Sequence, residues 1–180
     1  AEGGEEAEAA RQRMLDAGFA PGSEFLWDYH YRVYWDLTQR IYREALDPSY
    51  DGPLDAGVPF CRSGTPACDA DYDYASRPQA QRAVRRIALT GRIGKPLITL
   101  HGTLDTLLPI GVDSDVYADM VRKAGRGALH TYWRVEGGNH TDGLVDEYPG
   151  RLTAIGPYFV EAVRSLTGRQ GTVVSARTTR

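Results

Sequence analysis

Hydrophobic and polar positions follow one pattern in the first half of this 180-residue chain and another in the second half. The first half holds segments of strong helix formers that begin at acidic, capping or proline residues. They predict helices over residues 5–17, 23–47 and 78–91. The second half contains two compact apolar runs, KPLITLHG at 95–102 and ALHTYWRVEGG at 128–138. Such runs of β-forming residues between Pro and Gly are typical of buried strands.

The two predicted strands alternate with helices. Residues 113–125 follow the first strand, and residues 150–168 follow the second, with a break expected near Gly156-Pro157. Strand, helix, strand and helix at this spacing predict a right-handed βαβ unit of an α/β sheet. The predicted organisation is a helical cap with a connecting loop at 1–90, a βαβα portion at 91–168 and a polar tail at 169–180.

The helix predicted over residues 23–47 is crowded with aromatic side chains that do not keep to one stripe: Phe25, Trp27, Tyr29, Tyr31, Tyr34, Trp35 and Tyr42. A helix that is apolar on several faces packs on more than one side or covers a pocket. Two interpretations therefore stay open, a buried helix and a lid whose aromatic rings touch a ligand. For the lid, we expect substrate contacts from Trp27, Tyr31 and Trp35, together with Leu107.

Composition excludes some classes of function. Hydrophobic residues make up 42% of the chain and charged residues 25%, which is enough for a packed core. A net charge of −3 argues against a nucleic-acid partner, because a phosphate-binding surface needs a basic excess. No apolar run approaches the roughly 18 residues of a membrane-spanning helix. The acidic opening AEGGEEAEAARQRM has no signal-peptide pattern and no initiator Met, and we expect a start that is either processed from a longer precursor or truncated.

The two cysteines, Cys61 and Cys68, lie in PFCRSGTPACD within a loop rich in Pro, Gly, Asp and Tyr. A disulfide across Gly64 and Pro66 is sterically easy and would indicate an oxidising compartment, so we expect a secreted protein. Two free thiols are the alternative. A metal site is not expected, because no other Cys or His lies near at ligand spacing.

One polar residue of interest follows each predicted strand. Asp105 comes after the first strand in HGTLDTLLPI, and His140 comes after the second in EGGNHTDG. Functional groups in α/β sheets collect beyond the carboxyl ends of parallel strands, so adjacent strands would bring the two together. A carboxylate beside an imidazole fixes the ring tautomer and stabilises the imidazolium, which is the supporting part of a nucleophile–base–acid system.

These two segments resemble the C-terminal portion of an α/β-hydrolase-fold serine hydrolase over residues 90–168. The acid loop of that family often reads H-G-x-x-D-x-x-x-P, which His101, Gly102, Asp105 and Pro109 match, and Gly137 and His140 match its G-x-x-H loop. More narrowly, the chain is similar to secreted bacterial esterases of the 3-hydroxybutyrate oligomer hydrolase and tannase–feruloyl esterase type. The resemblance implies an α/β-hydrolase sheet with a lid, and catalytic roles for Asp105 and His140.

The chain departs from the family at the nucleophile. No G-x-S-x-G motif is present, and the serines before Asp105 are Ser23, Ser49, Ser63 and Ser76, none of them on a strand-to-helix turn. We therefore expect the nucleophilic serine and the oxyanion hole to come from an N-terminal segment or a separate chain of the same hydrolase. His101 is interpreted as structural, and Asp142 as a weaker alternative partner of His140.

The sequence thus predicts a carboxylic ester hydrolase that needs no cofactor and acts on a small-molecule or oligomeric ester. A peptidase or amidase on the same scaffold, and a non-catalytic binding domain derived from it, remain alternatives.

Overall fold

The computed structural model describes residues 4–33, 39–50 and 72–168. These residues form two compact units. The first unit comprises residues 4–26 and 90–168, and the second comprises residues 27–33, 39–50 and 72–89. Within the described ranges, no helix is long and apolar enough to cross a membrane.

The first unit contains a small parallel sheet. Strand β1 (Leu97–Gly102) pairs with β2 (His130–Val135), with Leu97 opposite His130 and Gly102 opposite Val135. A further parallel bridge joins Gly138 to Thr153 after β2 ends. The predicted strands are therefore both present, each starting two residues later than expected, and β2 also ends three residues earlier than expected, at Val135. The α/β class is confirmed in this coarse form, as helices combined with a two-stranded parallel sheet.

Helices connect and flank the strands of the first unit. The chain begins with α1 (Glu5–Asp16), and the later helices of the unit, labelled here in chain order, are α5 (Ser114–Lys123) and α6 (Gly156–Thr167). Helix α5 lies between the strands in sequence and packs near β2, whereas α6 lies against β1. The order strand, helix, strand, helix follows the prediction. Val121 of α5 and Val135 of β2 are almost completely buried and belong to the core of this unit.

The last helix differs from its prediction. It begins at Gly156, the position of the expected break, and not at residue 150. The cause is a distant cap, since the Asp142 carboxylate accepts hydrogen bonds from the backbone N–H groups of Ile155 (2.6 Å) and Gly156 (2.9 Å). A carboxylate at these groups satisfies donors that have no partner within a helix. Pro157 in the first turn is compatible with this start.

The second unit contains three helices of the described chain: α2 (Trp27–His30), α3 (Gln39–Leu46) and α4 (Pro78–Ile87). A 3-10 turn over Glu24–Leu26 precedes α2. The continuous helix predicted over residues 23–47 therefore opens as a 3-10 turn, and its centre lies outside the described residues. The prediction for residues 78–91 is confirmed for the helix itself, which ends at Ile87.

The buried carboxylate of Asp47 organises the second unit. Its Oδ1 accepts hydrogen bonds from the Ser49 hydroxyl (2.6 Å) and backbone N–H (3.0 Å), and its Oδ2 accepts from Tyr72 (3.0 Å) and Arg77 (2.8 Å). Burial acts to raise the pKa of Asp47, but these donors outweigh it and lower the pKa to about 2. The Arg77 guanidinium lies over the Tyr72 ring, 4.4 Å from its centroid. The same ring packs edge-on against Tyr50, with 5.6 Å between the two ring centroids. These contacts fix residue 50 beside residue 72.

Candidate active site

The acid loop holds Asp105 in one orientation. The loop leaves β1 at Gly102, and the Asp105 carboxylate turns back on it. Its Oδ1 accepts the backbone N–H groups of Leu107 (2.9 Å) and Leu108 (3.0 Å). A side-chain carboxylate bonded to N–H groups two and three residues on is a common turn device of Asp. Because Oδ1 already accepts these two hydrogen bonds, Oδ2 is the oxygen that can accept from another side chain. Only 3% of the Asp105 side chain is exposed, so that partner must come from the protein.

The histidine loop crosses the acid loop at very close range, which explains the glycine pair before His140. A Cβ atom on Gly102 would lie 2.3 Å from the carbonyl carbon and oxygen of Gly138, and Gly137 has a φ of +73°. The crossing is fastened by hydrogen bonds from the Leu104 N–H to the Gly138 carbonyl (2.8 Å) and from the Gly137 N–H to the Thr103 hydroxyl (2.9 Å). Only glycine permits this approach of two backbones.

The crossing places His140 against Asp105. The His140 Nδ1 lies 2.8 Å from the Asp105 Oδ2. Burial acts to raise the pKa of Asp105, but hydrogen bonds from His101, His140 and Leu108 outweigh it and lower the pKa to about 2. The carboxyl is thus ionised, and Nδ1 carries the proton that it accepts. In the neutral ring, Nε2 is then the basic nitrogen.

The two partners differ in exposure. The His140 side chain is 37% exposed, in contrast to the sealed Asp105. Among the residues that the structure describes, none forms a hydrogen bond with His140 Nε2. The hydrogen bond to Asp105 raises the pKa of His140 against the opposing effect of burial. The pair therefore presents a strengthened base with its reactive nitrogen available.

A second histidine reaches the same carboxylate. The His101 Nε2 lies 3.2 Å from the Asp105 Oδ2 and 2.8 Å from the Leu108 carbonyl oxygen. Its Nδ1 lies 2.5 Å from the hydroxyl of Ser114, the first residue of α5. The sequence interpretation of His101 as structural did not include this contact with the acid. The i, i+4 spacing of His101 and Asp105 is the available signal, but it depends on how tightly the loop turns.

The remaining predicted residues are placed as follows. Leu107 contributes its backbone N–H to Asp105. Asp142 caps α6, so Asp105 is the partner of His140. Trp27 and Tyr31 belong to the second unit, and Trp35, Cys61 and Cys68 lie outside the described residues. The lid and disulfide predictions therefore stay predictions. No cluster of three or more His, Cys, Asp or Glu side chains suited to a metal ion occurs within the described ranges.

Comparison with known proteins adds no relative: no family model, curated protein or solved structure matches this chain. The assignment of function rests on the geometry of the site.

Proposed function

We propose that this chain supplies the acid and the base of a serine hydrolase that cleaves carboxylic esters. His140 Nε2 takes the proton from a serine hydroxyl as the serine attacks the ester carbonyl, and it returns that proton to the leaving alcohol. Water then attacks the acyl-enzyme in a second cycle of the same proton transfers. Asp105 orients the ring and stabilises the imidazolium. The observation that carries the proposal is the Asp105–His140 pair beyond the ends of two parallel strands, with Nε2 available.

The serine and the oxyanion hole are proposed to come from another segment of the same hydrolase. Both β1 and β2 have one edge to which no strand of the described chain is paired, and a parallel pair is too small to be stable by itself. Helix α6 also exposes a stripe of apolar side chains: Phe159, Val160, Val163 and Leu166. Further strands beside β1 and a helix against this stripe would complete a sheet of the α/β-hydrolase type.

A second serine–histidine–carboxylate arrangement is formed by Ser114, His101 and Asp105. Ser114 is only 5% exposed and sits at the start of α5, where an ester carbonyl has no access to its hydroxyl. His101 is buried as well. His140 is the histidine of this site that substrate can reach, so we assign the role of base to His140.

Labelling with a fluorophosphonate probe tests this assignment. The tagged protein is purified from its source under non-denaturing conditions, labelled, and resolved on a denaturing gel. Wild type is compared with His140→Ala, Ser114→Ala and the matched control His130→Ala. The control removes a partly buried histidine whose Nε2 contacts the Thr99 hydroxyl. Rates of ester hydrolysis are measured on the same samples.

We expect the label on the segment or chain that supplies the nucleophilic serine, and a loss of hydrolysis on the order of 10³-fold or more in His140→Ala alone. Labelling that disappears in Ser114→Ala but persists in His140→Ala would show that Ser114 is the nucleophile and His101 its base. That result would overturn the assignment of His140. Absence of both labelling and hydrolysis in wild type would leave a binding domain. A panel of matched esters and amides separates esterase from amidase activity.

An apolar or aromatic part of the substrate is proposed from the aromatic residues of the lid segment. Trp27 and Trp35 would lie about two turns apart on the helix that the sequence predicts for that segment. Substituting both with Ala should lower kcat/KM for aromatic esters more than for acetyl esters. If kcat/KM for every ester in the series is the same in the double variant as in wild type, the lid has no part in substrate binding and this proposal is wrong.

A further inference from the structure

The Asp105 Oδ2 serves two imidazoles at once, His140 Nδ1 at 2.8 Å and His101 Nε2 at 3.2 Å. To orient the base of an Asp–His pair, the carboxylate needs to accept from only one imidazole. His101 is buried, and its ring is held at both nitrogens, by the Leu108 carbonyl on one side and by the Ser114 hydroxyl on the other. The second imidazole is thus a built part of the acid's environment.

The hydrogen-bond partners determine which protons His101 carries. Its Nε2 faces two acceptors, the Leu108 carbonyl and the ionised Asp105, so Nε2 always carries a proton. Its Nδ1 faces the Ser114 hydroxyl, which also lies 3.2 Å from the Asp113 Oδ1. In the neutral ring, the hydroxyl donates to Nδ1. In the imidazolium, Nδ1 donates to the hydroxyl oxygen, and the hydroxyl donates to Asp113.

Both protonation states of His101 are therefore fully hydrogen-bonded. The ring can gain or lose a proton at Nδ1 through a rotation of the Ser114 hydroxyl, without breaking a contact to Asp105 or Leu108. This arrangement differs from that of His130, whose Nε2 meets a threonine hydroxyl and whose pKa is lowered by burial.

We propose that His101 is a positioning residue that shares the Asp105 carboxylate with His140 and thereby limits the basicity of His140. A protonated His101 offsets part of the negative charge that His140 meets, so His140 releases its proton more readily than it would beside an unshared carboxylate. The effect of His101 on the titration of His140 involves only residues of this chain and can be measured without the proposed serine. Its catalytic consequence, a base that is neutral at lower pH, rests on the proposed function.

The charged groups that face His101 are few. Asp105 lies on its Nε2 side, Asp113 lies 3.8 Å from Nδ1, and His140 faces it across the shared carboxylate. Burial acts to lower the pKa of His101, but the hydrogen bond and charge of Asp105, the Leu108 carbonyl and the charge of Asp113 outweigh it and raise the pKa. Because His101 and His140 share the Asp105 Oδ2, the two titrations are coupled.

Titration of the imidazole nitrogens by NMR tests the coupling in the full chain over about pH 5 to 9, with no need for catalysis. His101→Gln retains N–H donors toward Leu108 and Asp105 but removes the charge, and it should raise the titration midpoint of His140 by about one pH unit, the lower range of the effect of a neighbouring charge. Because coupling between two sites is reciprocal, His140→Gln should raise the midpoint of His101 by the same amount.

The control is His130→Gln, which should leave the His140 midpoint unchanged. An unchanged or lowered His140 midpoint in His101→Gln would overturn the proposal, because a ring that only holds the carboxylate in place strengthens the Asp105–His140 pair. If His101→Gln does not fold, His140→Gln decides alone, since it changes a partly exposed side chain. An unchanged His101 titration midpoint in His140→Gln would also overturn the proposal. Neither result depends on whether the fluorophosphonate experiment succeeds.

Discussion

Substituting Gly102 with Ala should separate the acid from the histidine. The added Cβ would lie 2.3 Å from the carbonyl carbon and oxygen of Gly138 and 2.7 Å from the carbonyl oxygen of Asn139. Ordinary contact begins near 3.4 Å, so the two segments must move apart by 3.4 − 2.3 = 1.1 Å. The atoms in the way are backbone, and one of them accepts the 2.8 Å hydrogen bond from Leu104. No rotation of a side chain relieves this contact.

The displacement has a cost in stability and a larger cost in function. Overpacking a tight contact typically destabilises by about 1–3 kcal/mol, and a rigid backbone contact belongs at the upper end of that range. A misplacement of about 1 Å near the chemistry reduces the rate on the order of 10²-fold. Because Gly102 and Gly138 lie just before Asp105 and His140 in the acid and histidine loops, we expect the 1.1 Å shift to be transmitted to the Asp105–His140 hydrogen bond.

Urea denaturation and NMR titration of His140 measure the two effects in Gly102→Ala. The matched control is Gly94→Ala, since an added Cβ there meets nothing within 4 Å and Gly94 does not have a positive φ. The control should be neutral or slightly stabilising, and His140 should keep its raised pKa. If Gly102→Ala matches Gly94→Ala in both unfolding midpoint and His140 titration, the close crossing of the two backbones does not exist as described.

Three further predictions concern the carboxylates and the base. Asp105→Asn should leave the chain folded but reduce ester hydrolysis by roughly 10³- to 10⁴-fold, because the amide favours the wrong His140 tautomer; kcat and circular dichroism check this, and full activity would contradict it. Asp47→Asn should destabilise the fold at pH 7 by about 1–3 kcal/mol, through loss of charged hydrogen bonds. The pKa of Asp47 is lowered to about 2, so its contribution is complete above its unfolded value and is lost as pH falls from about 4 to about 2. Unfolding free energies across that range should therefore slope less in the variant than in wild type. Because catalysis needs neutral His140 and its pKa is raised, kcat/KM should fall with decreasing pH with a midpoint above 6.5, and a midpoint below that value would count against His140 as the base.

The sequence was informative where the signal is local. The strands follow from compact apolar runs, and the positions of Asp105 and His140 just beyond them follow from the sheet geometry that such runs imply. Gly102 and Gly137 enter the sequence analysis only as parts of motifs, and the close crossing of their two loops is visible only in the structure. Each of these signals spans about a dozen residues at most, which is the range over which pattern and propensity operate.

What the sequence could not predict depends on contacts between distant positions. The start of α6 is decided by Asp142, whose carboxylate meets N–H groups 13 and 14 residues later. The contact between His101 and Asp105 depends on how tightly the acid loop turns after β1, and no hydrophobic periodicity predicts that turn. The identity of an aromatic lid depends on tertiary packing, for which an aromatic-rich helix is compatible with several outcomes.

The contacts around Asp47 make the chain between residues 50 and 72 a place where length can change. Tyr50 and Tyr72 are held together by their own rings and by the Asp47 carboxylate, so the two ends of the intervening segment stay fixed whatever lies between them. When the two ends of a flexible connection are fixed, doubling its length adds only about 0.6 kcal/mol of closure entropy. An epitope tag inserted between residues 50 and 72 should therefore leave the hydrogen bonds of the Asp47 cluster intact.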